Sequence, residues 1–205
     1  MDKFNSDIIA VTNRHVCRQS YDDHNLPYSF PTEPLLKQIR QLCLTNVEFI
    51  ILREKDLPET EYLELAKSAL DICSNYGKRI ILHTYINVAE TLNYRHIHLP
   101  LHILENGCAN KVNFSCYKTI GVSVHSKDEA VLAESLGATY ITAGHIFDTE
   151  CKKGLPGRGL PFLQEVCSAV KIPVYAIGGI TPDNLASVLD AGARGGCMMS
   201  GVMRV

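Results

Sequence analysis

A repeated switch of period constrains this chain more than any single motif. Near-continuous apolar runs of strand length alternate with stretches of helical spacing from one end to the other. The strand candidates are DIIAVTN (7–13), VEFIILRE (47–54), RIILHTY (79–85), HIHLPL (96–101), KTIGVSVH (118–125), TYITAGHIF (139–147), VYAIGG (174–179) and GGCMMSGV (195–202). Successive residues of a strand point to opposite faces, so a continuous apolar run marks a parallel strand covered on both sides. Between these runs lie LLKQIRQLCL, TEYLELAKSALDICSNYG, KDEAVLAESLG, LPFLQEVCSAV and TPDNLASVLDAG, all of helical pattern. Eight strands with helices between them predict an α/β fold, a small (β/α)8 TIM barrel; a doubly wound open sheet is the alternative. The 205 residues, 46% of them hydrophobic, suit one such domain spanning 1–205.

Local signals agree with this reading. Thr181 before Pro182 predicts a helix N-cap with proline in the first turn. Gly77, Gly137 and Gly192 each stand between a helical and a strand pattern, where C-terminal caps belong. Two regions depart from a plain barrel. Residues 14–34 read as a long polar loop after the first strand, of the kind used as a lid or rim decoration. The sequence also runs only five residues past Ser200, so the eighth strand is expected to lack its helix. The first and last strands would then be short of cover, which points to a partner subunit.

Bulk properties exclude several classes. The net charge of −2 offers no field to recruit nucleic acid or an acidic membrane. No apolar run is long enough to span a bilayer, and MDKFNSDIIAVTNR has no signal-peptide core, so a cytoplasmic location is expected. The eight cysteines form no CxxC pair and sit in apolar patterns, as free thiols do, and Cys151 in ECKK is read as a small wall residue. His96 and His98 share a strand face beside His102, yet no carboxylate or cysteine pair accompanies them, and no metal site is expected.

In a barrel, function sits at the C-terminal ends of the strands. Those ends carry Arg53-Glu54-Lys55, His83-Thr84, His98, Ser123-Val124-His125, His145, Gly178-Gly179 and Ser200-Gly201. The glycine pair and the Ser-Gly let backbone amides approach an anion, in the two loops where barrels often bind phosphate. A tight strand-to-helix turn is the alternative, and the cations of Arg53, Lys55, Lys152, Lys153 and Arg158 on the same rim favour phosphate. His125 can accept and return a proton near neutral pH, or simply bond a helix-start amide. His145 and His83 are further pocket candidates, with wall residues as the alternative. GHIFDTECKKGLPGRGL (144–160) reads as a glycine-bearing loop whose cations cover an anionic substrate.

At these residues a family becomes recognisable. GVSVHSKDEAVLAESLGATYITAGHIFDTECKKGLPGRGL and IPVYAIGGITPDNLASVLDAGARGGCMMSGV resemble the thiamine phosphate synthase/TenI superfamily, with a weaker echo in VEFIILREK and HIHLP. The resemblance implies a (β/α)8 barrel in one of two branches. Synthases join a pyrimidine diphosphate to a thiazole phosphate and need Mg2+ held by carboxylates. The TenI branch includes thiazole tautomerases, isomerases that make a carboxythiazole phosphate aromatic without a metal or other cofactor. This chain keeps the synthase-like Arg53 and Lys55 but has Ile51 for the glutamine. It has His83-Thr84 for Asn-Asp, and LPLHIL (99–104) where the second metal-binding aspartate is expected, with Glu105 the nearest acid. Without those carboxylates a departing diphosphate would be poorly stabilised.

SVHS and the 144–160 stretch look like the TenI branch. The resemblance then implies His125 as the catalytic residue, Gly178, Gly179, Met199 and Ser200 at the phosphate, and Ser123 and Lys152 lining the pocket. It also implies a small thiazole phosphate ligand and a homodimer. A thiazole tautomerase of the thiamine pathway is thus expected. The alternatives are a Mg2+-dependent thiamine phosphate synthase and a non-catalytic phosphate-binding or regulatory barrel.

Overall fold

The computed structural model describes residues 7–19 and 32–203. The elements run β1 (Ile8–Val11), α1 (Arg14–Gln19), α2 (Thr32–Cys43), β2 (Phe49–Leu52), α3 (Glu59–Asn75), β3 (Ile80–His83), α4 (Ile86–Thr91), β4 (His96–Pro100) and α5 (Leu101–Ala109). They continue as β5 (Thr119–Val124), α6 (Lys127–Ser135), β6 (Tyr140–Gly144), α7 (Gly159–Ala169), β7 (Val174–Ile177), α8 (Leu185–Asp190), β8 (Gly195–Met198) and α9 (Ser200–Met203). The strands are parallel and close into a barrel in chain order, with Ile9 of β1 in register with Cys197 of β8. The eight-stranded closed barrel is the expected fold, and the open sheet is excluded. Among the described residues, no helix is long and apolar enough to cross a membrane.

Alternation along each strand builds two cores. Side chains such as Ala10, Ile50, Leu52 and Leu82 pack outward under the helices. Ile9, Val11, Phe49, Ile51, Ile81, Tyr140, Tyr175 and Cys197 fill the interior. Tyr140 lies edge-on to both Phe49 and Tyr175, with ring centroids 5.5 and 5.8 Å apart. Such pairs add about 0.5–1.5 kcal/mol beyond their buried area. Gly121 makes room for this layer: a Cβ there would fall 2.2 Å from Tyr140 Cζ. The lower barrel is therefore a plug, and ligand chemistry is confined to the opposite end.

Several expectations are corrected. The strand runs extend past the hydrogen-bonded ladder at their C-terminal ends, where polar and glycine residues leave the sheet to form the rim. The 14–34 stretch is not one loop. Residues 14–19 form α1 and Thr32 opens α2, while 20–31 lie outside the described residues. Nor is the eighth strand without a helix: α9 follows it at once, with Val202 and Met203 buried. Gln38 of α2 donates to the Val202 carbonyl at 2.6 Å, and Cys17 of α1 lies against Met203. Helices α1, α2 and α9 thus pack together over the β8–β1 seam, and the expected bare faces are absent.

The helix after β7 begins at Leu185, not at Pro182. Asn184 Oδ1 accepts from the Thr181 amide and its Nδ2 donates to the Gly179 carbonyl, so the intervening residues are a turn. Helices α4 and α5 had no clear pattern in the sequence. In α5 the reason is visible, because Gly107 sits mid-helix where a Cβ would fall 2.6 Å from the Phe114 ring. The capping glycines hold, with φ of 64°, 94° and 93° at Gly77, Gly137 and Gly192. Among the described residues the cysteines are free thiols. The Cys151 side chain lies outside the described residues.

Candidate active site

The rim at β1 and β2 is tied together by a buried carboxylate. Glu54 accepts from Thr12 Oγ1 at 2.7 Å and from the Arg14 amide and guanidinium, each at 3.1 Å. Arg14 also makes a two-pronged bond to Asp56, which holds that carboxyl far below its usual range. Arg53 and Lys55 stand beside this clamp, half-buried and exposed. The sequence placed Glu54 at a strand end but did not mark Asp56 or the clamp, because the two acids find Thr12 and Arg14 only when β1 and β2 become neighbours.

At β3 and β4 two histidines stack inside the mouth, their ring centroids 5.4 Å apart. His83 Nδ1 meets Thr84 Oγ1 at 2.6 Å. Burial, then His98, Arg53 and Lys55, push His83 well below the usual histidine range. Burial and then Arg53 push His98 down to about 3. Both rings are neutral at pH 7. His98 Nδ1 lies 2.9 Å from the Tyr140 hydroxyl and its Nε2 2.8 Å from Ser123 Oγ, which Thr142 Oγ1 also reaches at 3.2 Å. Tyr140 and Thr142 went unnoticed in the sequence because they read as ordinary strand residues.

His125 directly follows β5, two positions after Ser123, and it is exposed. The next residue, Ser126, caps α6 by accepting from the Glu129 amide, and the Glu129 carboxylate accepts from the His125 amide. The imidazole is not consumed by this helix start. Its Nδ1 lies 2.9 Å from the Gly144 carbonyl oxygen. A carbonyl only accepts, so Nδ1 carries a hydrogen, and in the neutral ring the lone pair is on Nε2.

The 144–160 stretch is an ordered loop pinned to the end of β6. The Arg158 amide donates to the His145 carbonyl, the Gly157 amide to Asp148 Oδ1, and His145 Nε2 lies 3.2 Å from the Leu155 carbonyl. The His145 ring thus helps to hold the loop. Lys152 and Lys153 are exposed on this loop, and Arg158 lies over the Phe162 ring.

At β7 and β8 the rim is backbone. Gly178 and Gly179 have φ of 97° and 67°. A Cβ on Gly178 would fall 2.3 Å from His145 Cβ, and one on Gly179 2.7 Å from the Asp148 carbonyl oxygen. Only glycine fits both the angle and the space. Among the described residues the amides of Gly179, Ser200 and Gly201 donate to no protein acceptor. Met199 packs at the top of the interior, where Asn13 Nδ2 meets its sulfur at 3.6 Å. The barrel therefore gathers Arg53, Ser123, His125, Gly178, Gly179, Met199 and Ser200 on one rim, with Lys55, His145 and Lys152 in the adjoining loops.

Among the described residues the donor set does not fit a Mg2+ site. The ends of β3 and β4 offer His83-Thr84 and Leu99-Pro100-Leu101, with no carboxylate. Glu54, the buried acid among the described residues, is already satisfied by Thr12 and Arg14. Glu105 is exposed on α5. Among the described residues no three His, Cys, Asp or Glu side chains are gathered as ligands.

Comparison with known proteins agrees with the fold. The family profile described as thiamine monophosphate synthase matches residues 24–202. A thiamine-phosphate synthase of Pyrococcus horikoshii is 34% identical over 176 residues, covering 83% of this chain and 82% of the relative. One from Moorella thermoacetica is 36% identical over 172 residues, covering 83% and 81%. The solved thiamine phosphate pyrophosphorylase of Pyrococcus furiosus superposes with a TM-score of 0.77 at 27% identity, covering 98% of this chain and 88% of that one. A barrel of this closure, with its glycine-built β7–β8 rim and a match over most of its length, belongs to the thiamine monophosphate synthase (TMP-TENI) family of thiamine biosynthesis.

Proposed function

We propose that this chain is a thiazole tautomerase-type isomerase that acts on a carboxythiazole phosphate. The observation that carries this reading is the His125 imidazole. Its Nδ1–H is spent on the Gly144 carbonyl, so Nε2 is the nitrogen that faces the barrel mouth as the base of the neutral ring. The substrate phosphate would lie on the amides of Gly179 and Ser200, which have no acceptor among the described residues. Lys152 would close over it from the loop. Met199 and Gly178 would shape the floor, and Arg53, Lys55, Ser123 and His145 the walls.

In the reaction, Nε2 of His125 takes a proton from the ring carbon and the resulting imidazolium returns one to the exocyclic carbon or its neighbour. No group leaves, and aromatisation supplies the driving force. The protein needs only to hold the geometry and relay the proton, which asks for a base and a phosphate cradle rather than a metal. The homodimer, resting on the resemblance, and the cytoplasmic location, resting on the sequence features above, remain part of this proposal.

The second reading is a thiamine phosphate synthase, favoured by the names of the relatives above. Against it stand the strand ends at β3 and β4, whose donors do not suit the cation that a departing diphosphate requires.

The test is His125→Asn, which keeps a hydrogen-bonding amide but removes the base. Turnover of the non-aromatic tautomer is expected to fall by about 10²–10⁴-fold, while affinity for the aromatic product, read by calorimetry, stays within a few-fold. A variant that retains near-full rate would remove His125 from the chemistry and the reading with it.

A further inference from the structure

The polar chain buried under the mouth has a direction that its own unsatisfied groups dictate. Tyr140 is buried, and its hydroxyl has a single hydrogen-bond neighbour among the described residues, Nδ1 of His98 at 2.9 Å. If Nδ1 carried the hydrogen, the Tyr140 hydroxyl proton would be left in the interior with nothing to meet, at a cost comparable to a lost hydrogen bond. The hydroxyl therefore donates to Nδ1. His98 is neutral, so its one hydrogen is on Nε2 and is given to Ser123 Oγ at 2.8 Å.

The same reasoning fixes the last member. Thr142 is 1% exposed and among the described residues its hydroxyl meets only Ser123 Oγ, at 3.2 Å, so it too must donate. Ser123 Oγ then accepts twice and both its lone pairs are used. Its own hydrogen has no acceptor among the described residues, and Ser123 is half-buried at the C-terminal end of β5. We infer that Tyr140, His98 and Thr142 are positioning residues that lock Ser123 as a hydrogen-bond donor to an acceptor atom of the bound ligand. That the ligand is a thiazole phosphate rests on the functional reading above; the direction of the chain does not. The lock makes the site selective: a ligand presenting an N–H or O–H at this point would oppose the Ser123 hydrogen, whereas an unprotonated nitrogen or a carboxylate oxygen would accept it.

The first arm of the test reads the tautomer directly. Protein labelled with ¹⁵N-histidine is examined at pH 7 by two-bond ¹H–¹⁵N correlation, with His98 assigned by the signal missing from His98→Gln. A neutral ring protonated at Nε2 is expected. A ring protonated at Nδ1, or at both nitrogens, would overturn the chain. The second arm measures thiazole phosphate affinity by calorimetry for Ser123→Ala, Tyr140→Phe and the double variant. Tyr140→Phe keeps the ring that packs against Phe49 and Tyr175 but frees the His98 tautomer, so Ser123 can turn its hydrogen inward to Nε2. Each single variant is expected to lose about five- to tenfold, and the double variant no more than Ser123→Ala alone. Losses that multiply would mean that Tyr140 acts apart from Ser123 and would contradict the inference. Wild-type protein that binds no thiazole phosphate would count against the functional reading, and the tautomer would still decide the chain.

Discussion

The two halves of the rim are built from different materials. From β1 to β4 it is made of side chains: the Thr12–Glu54–Arg14 clamp, the cations Arg53 and Lys55, and the stacked neutral rings of His83 and His98. From β5 to β8 it is made largely of backbone: the Gly144 carbonyl that orients His125, the left-handed Gly178 and Gly179, and the open amides at Ser200 and Gly201. Backbone sites demand particular residues at fixed spacings, chiefly glycine, because any Cβ collides. Side-chain sites admit many substitutes. That difference explains why the second half carries the clearer family pattern, and why the departures from the synthase pattern fall in the first half.

Glycines sharpen this contrast most. Gly77 and Gly179 have nearly the same φ, 64° and 67°, but a Cβ at Gly77 meets nothing within 4 Å while one at Gly179 meets backbone oxygen at 2.7 Å. Gly77→Ala is expected to cost only about 1–2 kcal/mol, the penalty of the left-handed backbone. Gly179→Ala should cost that plus a steric term of roughly 1–3 kcal/mol and lose more than tenfold in affinity for thiazole phosphate. Equal effects in denaturant titrations and calorimetry would mean that the β7–β8 rim is an ordinary turn.

The neutral histidines give the first half its own signature. His98 has a native value of about 3 against an ordinary 6.5, so between those limits the unfolded chain binds the extra proton. Stability is therefore full above pH 6.5 and falls as pH drops through that window. The slope from His98 alone is about 1.4 kcal/mol per pH unit, and His83 adds in the same direction. Urea titrations from pH 7 to pH 4 should show this loss, and His98→Gln should flatten it. An unchanged slope would mean that His98 is not held neutral by burial.

Much of this architecture was legible before any coordinates. Continuous apolar runs named every strand, because both faces of a barrel strand are buried. Glycines marked helix ends and the β7–β8 rim, because their backbone angles exclude other residues. What escaped notice depends on contacts between strands far apart in sequence. Tyr140 meets His98 across 42 positions, and nothing local distinguishes it from Tyr175. Helix α9 escaped because its cover comes from Gln38 and Cys17, more than 160 positions away. His145 was legible as a rim residue, but its bond to Leu155 emerges only when the loop folds back.

The smallest effect is expected at the loop cations. Lys152 is exposed, so screening limits its pull on a phosphate. Lys152→Ala should raise KM by about three- to fivefold, an effect worth ~1 kcal/mol, and added salt should erase the difference. A loss as large as that of Gly179→Ala would shift the weight of phosphate binding from backbone to side chain.

The central claim is that a base and a phosphate cradle, without metal carboxylates, perform a proton shift. Purified protein given the non-aromatic carboxythiazole phosphate in D2O, followed by NMR, tests it directly, beside a parallel incubation with pyrimidine diphosphate, thiazole phosphate and Mg2+. Aromatisation with deuterium uptake, and no thiamine phosphate in the parallel incubation, is the predicted result. Thiamine phosphate without aromatisation would contradict it and would make this barrel a synthase whose cation is held by donors other than those at β3 and β4.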